Sequence, residues 1–122
     1  MVINWYKISQ KKIDLLENKS GVYIISVLLR SGDFAVIYVG QSIDLKTRMK
    51  QHFSASESNE ELKKYLSNNY TFKISYGYLD SKLLDGVEKY LIFKYSPQFN
   101  DKEGNGDSSF ACNLPNVVKF PR

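Results

Sequence analysis

Six side chains in this sequence are of types that could together hydrolyse a phosphodiester: Tyr23, Tyr38, Arg48, His52, Glu88 and Asn100. Such a reaction needs a base to take a proton from water and a cation to hold the phosphate. It also needs an oxygen ligand for a hard divalent metal. Each residue alone has a plainer reading. Tyrosine favours strands, and the chain has nine of them. Arg48 stands four residues after Asp44, the spacing of an ordinary surface pair on a helix. A single histidine at a helix end, a glutamate within a helix and an asparagine after a proline turn are all commonplace. Only the elements that carry these residues can separate the two readings.

Those elements follow from periodicity. Gly21 to Leu29 and Phe34 to Val39 are rich in β-branched and aromatic residues and flank the turn signal Arg30-Ser31-Gly32-Asp33, which predicts an antiparallel hairpin. Both arms are almost wholly apolar, so both faces of their sheet are expected to be covered. The hairpin can bring Tyr23 and Tyr38 side by side, and Gly40 lets a neighbour approach the backbone. Ser42 is the expected N-cap of a helix reaching Phe53, with Asp44 in its first turn and Leu45, Met49 and Phe53 as the buried stripe. Asp44, Arg48 and His52 share that spacing, rotated by one residue. A short helical pattern is expected over Lys11 to Glu17 and a second helix over Glu60 to Leu66. Tyr70 to Leu79 alternates as a strand. A helix capped by Asp80 or Ser81 then runs to about Tyr95, carries Glu88 and ends before Pro97. Gly86 costs that helix about 1 kcal/mol against alanine, which implies close packing there. Residues 101–109 read as a mobile polar loop, and Val117-Val118 as a short strand.

Composition sets the outer limits. One domain covering residues 1–122 is expected from 122 residues with 43% hydrophobic and 25% charged residues. No apolar run is long enough for a membrane span, and Trp5, Tyr6 and Lys7 stand where a signal peptide would be apolar. An intracellular protein is expected, cytoplasmic if prokaryotic or phage-borne. Cys112 is the only cysteine, which excludes an internal disulfide and a cysteine-based zinc cluster and leaves an inert small side chain as its expected role. The net charge of +4 is compatible with a polyanionic partner but does not identify one.

Gly21-Val22-Tyr23 and Tyr38-Val39-Gly40 resemble the paired signature of the GIY-YIG nuclease superfamily. The family's arginine on the following helix, with a histidine or tyrosine one turn later, is matched by Arg48 and His52. Its metal-binding glutamate is matched by Glu88, and its asparagine after a proline turn by Asn100. The resemblance runs from about residue 19 to 101, leaving a polar loop and short tail over 102–122. It implies an α+β fold in which a small three-stranded antiparallel sheet is flanked by helices. It also implies a metal-dependent endonuclease that cuts DNA to 5′-phosphate and 3′-hydroxyl ends, with Glu88 holding Mg²⁺ or Mn²⁺ and Arg48 on the phosphate. His52 would tune a tyrosine base, with Tyr23 and Tyr38 both open for that role. Gln41 replaces a lysine frequent in the family, and Gln41, Lys46 and Lys50 are candidate substrate contacts. A homodimer or a specificity-providing protein partner is compatible with so compact a domain. The alternative is a catalytically silent module retained for DNA or protein binding.

Overall fold

The computed structural model describes residues 1–121. Its centre is strand β2 (Gly21–Leu28), in which seven consecutive residues are buried. The strand is covered on both faces because its neighbours supply two separate cores. β2 pairs antiparallel with β3 (Phe34–Ser42) on one side and with β4 (Phe72–Tyr78) on the other. The short edge strand β1 (Tyr6–Ser9) adds antiparallel to β4, and β5 (Val118–Lys119) adds parallel to β3, giving the order β1-β4-β2-β3-β5. The sheet is therefore five-stranded and mixed, a correction to the three antiparallel strands expected. Both additions are edge strands of two to four residues with largely exposed side chains, so neither carries a clear apolar alternation.

Alternation along β2, and along β3 on either side of a bulge at Ile37, sorts the core. Tyr23, Ile25, Val27 and Ile37 pack with Leu45 and Met49 of α1 (Leu45–His52) and Leu62 and Leu66 of α2 (Glu60–Leu66). Val22, Ile24, Val36 and Val39 face the other way, against Leu84, Val87, Leu91 and Tyr95 of α3 (Leu84–Tyr95). The expected hairpin and α2 are present as read. The helix predicted over Lys11 to Glu17 is a 3₁₀ helix over Gln10–Leu15.

α1 starts later than predicted. Ser42 is still opposite Gly21 in the sheet, so the helix cannot begin there. Asp44 is the cap, accepting from Thr47 N at 3.2 Å, and its charge suits the positive end of the helix. The turn predicted to be mobile, residues 101–109, lies along α3 instead. Asn105 N–H donates to the Lys89 carbonyl at 2.9 Å, and the Phe110 ring covers Gly86, the close packing that glycine implied.

The first glycine of the hairpin is a packing residue. A Cβ on Gly21 would strike the Gly77 carbonyl of β4 and come within 2.8 Å of Leu45 Cδ1. The carbonyl belongs to the central sheet and cannot swing aside. Gly21→Ala should therefore destabilise the protein by about 2 kcal/mol or more, as overpacking of a closed core does. Urea unfolding measures this directly; a change under about 0.5 kcal/mol, the level of an unconstrained surface site, would mean that β2 and β4 have room to part.

Candidate active site

The two signature halves meet where β2 crosses β3. Tyr23 is paired opposite Gly40, and a Cβ on Gly40 would fall inside the Tyr23 ring and hydroxyl. The absent side chain lets the Tyr23 ring pass over β3 toward α1. There the hydroxyl meets His52 Nε2 at 2.6 Å, with Tyr23 and His52 each only 1% exposed. Tyr38 lies on the same face, its ring 5.1 Å from the His52 ring and 6.3 Å from that of Tyr23. It is half-buried, whereas Tyr23 is closed off.

The spacing of α1 places Arg48 and His52 together, and both point at Glu57. Arg48 Nη1 lies 3.4 Å from Glu57 Oε2. The same oxygen is in contact with His52 Nδ1. Glu57 is 2% exposed and its other oxygen accepts from Asn59 N at 3.0 Å. Sequence reading missed this residue, which lay in an apparently plain polar loop. The available signal was an acid five residues after the only histidine and nine after Arg48. The surface pair of Arg48 with Asp44, the plainer reading of their spacing, is not formed, and the Asp44 carboxylate is taken by Thr47 and Asn18.

The remaining residues wrap around the edge of β3. Gln41 points to the α3 side, where its amide nitrogen contacts the Asp85 carboxylate and lies 3.3 Å from Glu88 Oε1. Glu88 is 5% exposed, far from the solvated glutamate its helix position would suggest. Lys102 Nζ reaches the same Oε1 at 3.1 Å, a second contact the sequence did not announce. Asn100 plays a structural part: its Nδ2 donates to the Val39 carbonyl at 2.7 Å and its Oδ1 accepts from Val39 N at 2.9 Å. One side-chain amide thus substitutes for the next strand. Lys50 is engaged by Asp14 at 3.1 Å, and Lys46 is half-buried beside Asp44.

The electrostatics follow from this enclosure. Burial raises the Tyr23 phenol well above its usual value, with the charge of Tyr38 adding to the effect and Arg48 opposing it. Burial also raises Tyr38, while Arg48 pulls it down and Glu88 and Glu57 push it up. His52 is lowered to about 4, first by burial and then by the Arg48 charge, with Glu57 acting in the opposite sense. Glu57 is lowered despite its own burial, by the Asn59 N–H and by its neighbours His52 and Arg48.

Glu88 offers a hard carboxylate oxygen, with the Asp85 carboxylate on the rim, and the Lys102 ammonium and Gln41 amide nitrogen that contact Glu88 Oε1 would have to give way to a cation. Two carboxylates suit a divalent ion of the magnesium type, which needs only one or two and completes its shell with water. Among the described residues no cluster of three His, Cys, Asp or Glu side chains could enclose a metal. The same residues suit no caged zinc site. No helix among them is long and apolar enough to cross a membrane.

The GIY-YIG catalytic domain model matches residues 19–102. UvrABC system protein C of Clostridium perfringens is 35% identical over 92 residues, covering 75% of this chain and 14% of that protein. Its counterpart in Clostridioides difficile is 33% identical over the same length. The chain thus matches a small part of these relatives. Among solved structures, the GIY-YIG N-terminal endonuclease domain of UvrC from Thermotoga maritima, bound to magnesium as its catalytic cation, aligns with a TM-score of 0.57. That alignment covers 75% of this chain and 93% of the domain at 23% identity. A tyrosine-to-phenylalanine variant of that domain aligns with a TM-score of 0.55 at 20% identity.

A histidine held neutral by burial makes folding sensitive to acid. The unfolded chain takes up a proton near the ordinary histidine value of about 6.5, while folded His52 resists until about pH 4. Stability from this group is fully present above pH 6.5 and lost as pH falls toward 4, with a slope of up to about 1.4 kcal/mol per pH unit. The upper part of that window, above the carboxylate range, belongs to His52 because it is the only histidine. Calorimetric melting between pH 6.5 and 5 should show the fall, and His52→Gln should flatten it. A wild-type melting temperature unchanged across that interval would mean that His52 is charged in the folded state.

Proposed function

The chain belongs to the GIY-YIG family, and from that premise we propose that it is a metal-dependent endonuclease hydrolysing DNA to 5′-phosphate and 3′-hydroxyl ends. The observation that carries the reading is the convergence of Tyr23, Tyr38, Arg48 and His52 on one face of β3, with a buried Glu88 around its edge.

Tyr38 is the base in this proposal. Tyr23 has its hydroxyl committed to His52 and is closed to solvent, so it cannot reach an attacking water. Tyr38 is half-buried, beside the same histidine, with its phenolate favoured by Arg48. Arg48 binds the scissile phosphate and stabilises the charge that grows on it, for which a guanidinium fork is well shaped. Glu88 would hold Mg²⁺, with Mn²⁺ an acceptable substitute, and the ion when bound would supply Lewis-acid stabilisation of the charge that develops in the reaction. Asn100 acts by fixing Val39, and with it the strand from which Tyr38 projects. One such site cuts one strand, so a duplex break requires a second copy or a second visit. A homodimer or a specificity-providing protein partner would supply it.

Two measurements test the assignment. The cleavage rate should climb from neutral into alkaline pH without a plateau below about 10, the reference phenol value. The active form is the phenolate, and burial keeps its fraction small. Tyr38→Phe should remove nearly all activity; a His52→Ala variant that flattened the profile while Tyr38→Phe stayed active would make histidine the base instead. The second concerns the metal. Glu88→Gln keeps the size of the side chain but removes the anion, so the protein should fold and bind DNA while nicking plasmid at least about a hundredfold more slowly, a loss of about 3 kcal/mol in the transition state. Cutting by Glu88→Gln at the wild-type rate across a Mg²⁺ or Mn²⁺ titration would remove Glu88 from the mechanism.

A further inference from the structure

The loop between α1 and α2 contributes a buried acid that the mechanism above does not use. We infer that Glu57 is a positioning residue that sets the tautomer of His52, so that Nδ1 carries the proton and Nε2 accepts from the Tyr23 hydroxyl. This assignment deepens the endonuclease reading and rests on it where cleavage is concerned.

The inference starts from what can share a buried space. Glu57 Oε2 is against His52 Nδ1, with the two side chains 1% and 0% exposed. A bare lone pair on Nδ1 would face a carboxylate oxygen at contact distance, a repulsion that Arg48 on the far side of that oxygen only partly offsets. Only a protonated Nδ1 tolerates that neighbour. Nδ1 has no other hydrogen-bond acceptor against it among the described residues, so Glu57 is the acceptor in reach. Burial and the Arg48 charge both oppose a second proton on the ring. With one proton, on Nδ1, Nε2 must be the acceptor, and the group facing it at 2.6 Å is the Tyr23 hydroxyl. Which nitrogen of an imidazole carries the proton is commonly set by the partner of the other nitrogen.

Glu57 is itself fixed. Its Oε1 accepts from Asn59 N, and Asn59 in turn caps α2 through Leu62 N at 3.1 Å and donates from Nδ2 to the Phe99 carbonyl at 2.9 Å. Phe99 precedes Asn100, the brace on Val39. The loop that looks featureless in sequence is thereby tied to both α2 and the edge of β3. Arg48 Nη1 shares Oε2 at 3.4 Å, so the same carboxylate also parks the guanidinium beside the tyrosines. Tyr23, His52 and Glu57 form a line from β2 through α1 to the loop, and Tyr38 packs edge-on against the histidine in its middle. Groups that orient a metal-bound imidazole affect affinity or activity by about tenfold to a hundredfold without touching substrate, and an effect at the lower end of that range is expected for an imidazole that orients a tyrosine.

The test reads the tautomer and the cleavage separately. The chain has one histidine, so nitrogen–proton NMR of the isotope-labelled full chain near neutral pH reports His52 without assignment ambiguity. Wild type should show the neutral ring protonated on Nδ1. Glu57→Gln retains an acceptor for Nδ1 and should keep that signature, with cleavage within about tenfold of wild type. Glu57→Leu removes the acceptor, so the proton should move to Nε2. Its kcat should fall at least about tenfold while KM for DNA stays within a few-fold, because Arg48 is released rather than lost. Wild type protonated on Nε2 would overturn the inference whatever its activity. So would wild-type cleavage by a Glu57→Leu variant whose ring had changed tautomer. If Glu57→Leu does not fold, wild type and Glu57→Gln still decide: loss of the Nδ1–H form in both would overturn the assignment. Wild type inert on every DNA substrate, but with the ring protonated on Nδ1, would overturn the endonuclease reading and with it the catalytic part of the assignment, leaving the tautomer supported.

Discussion

A tyrosine ring lying across a glycine is the contact on which the site depends. Tyr23 belongs to the most enclosed strand of the sheet, and its ring could not take this course if its neighbour carried a side chain at position 40. With glycine there, the ring crosses β3 and delivers its hydroxyl to His52 on α1. The interaction joins the two halves of the signature, fixes α1 against the hairpin and decides which tyrosine is closed off. A hydrogen bond this deeply buried must be made, since an orphaned phenol or imidazole would carry the full desolvation cost of about 1–3 kcal/mol.

From that contact the charges arrange themselves outward. The inner position holds neutral groups, Tyr23 and His52. The ionised groups, Arg48 and Glu57, sit next to one another, where each offsets the cost of burying the other. On the opposite side of β3, Glu88 is buried but faced by Lys102 and Gln41. The sheet edge thus separates the tyrosines with their Arg48–Glu57 pair from Glu88 with its Lys102 partner.

The edge itself is completed by pieces too short to announce themselves. β5 covers only Ala35 and Val36, the Phe99 N–H reaches the Ile37 carbonyl, and the Asn100 side chain closes Val39. At the other end of the sheet Asn113 brackets Ile3 in the same way, accepting from its N–H at 2.7 Å and donating to its carbonyl at 2.9 Å. In both places an asparagine amide satisfies a donor and an acceptor that a missing strand would have taken.

Local pattern determined a good deal of this protein. The apolar hairpin, the α2 boundaries, the alternation of β4 and the packing at Gly86 all follow from periodicity, because side chains of one face must share one core. The signature carried Tyr23, Tyr38, Arg48, His52, Glu88 and Asn100 as candidates, and their types and order were enough to name a family. What tertiary structure decided were the relations between them. Ser42 lost the cap to Asp44 because sheet pairing outlasts the local helix signal. β1 and β5 were illegible because edge strands of a few exposed residues have no face to bury. Glu57 and Lys102 were missed because each functions through a partner brought near by the fold rather than by spacing. Neither could the sequence choose between the two tyrosines, since they are chemically alike and differ only in exposure. The fold buries Tyr23 and leaves Tyr38 within reach of solvent.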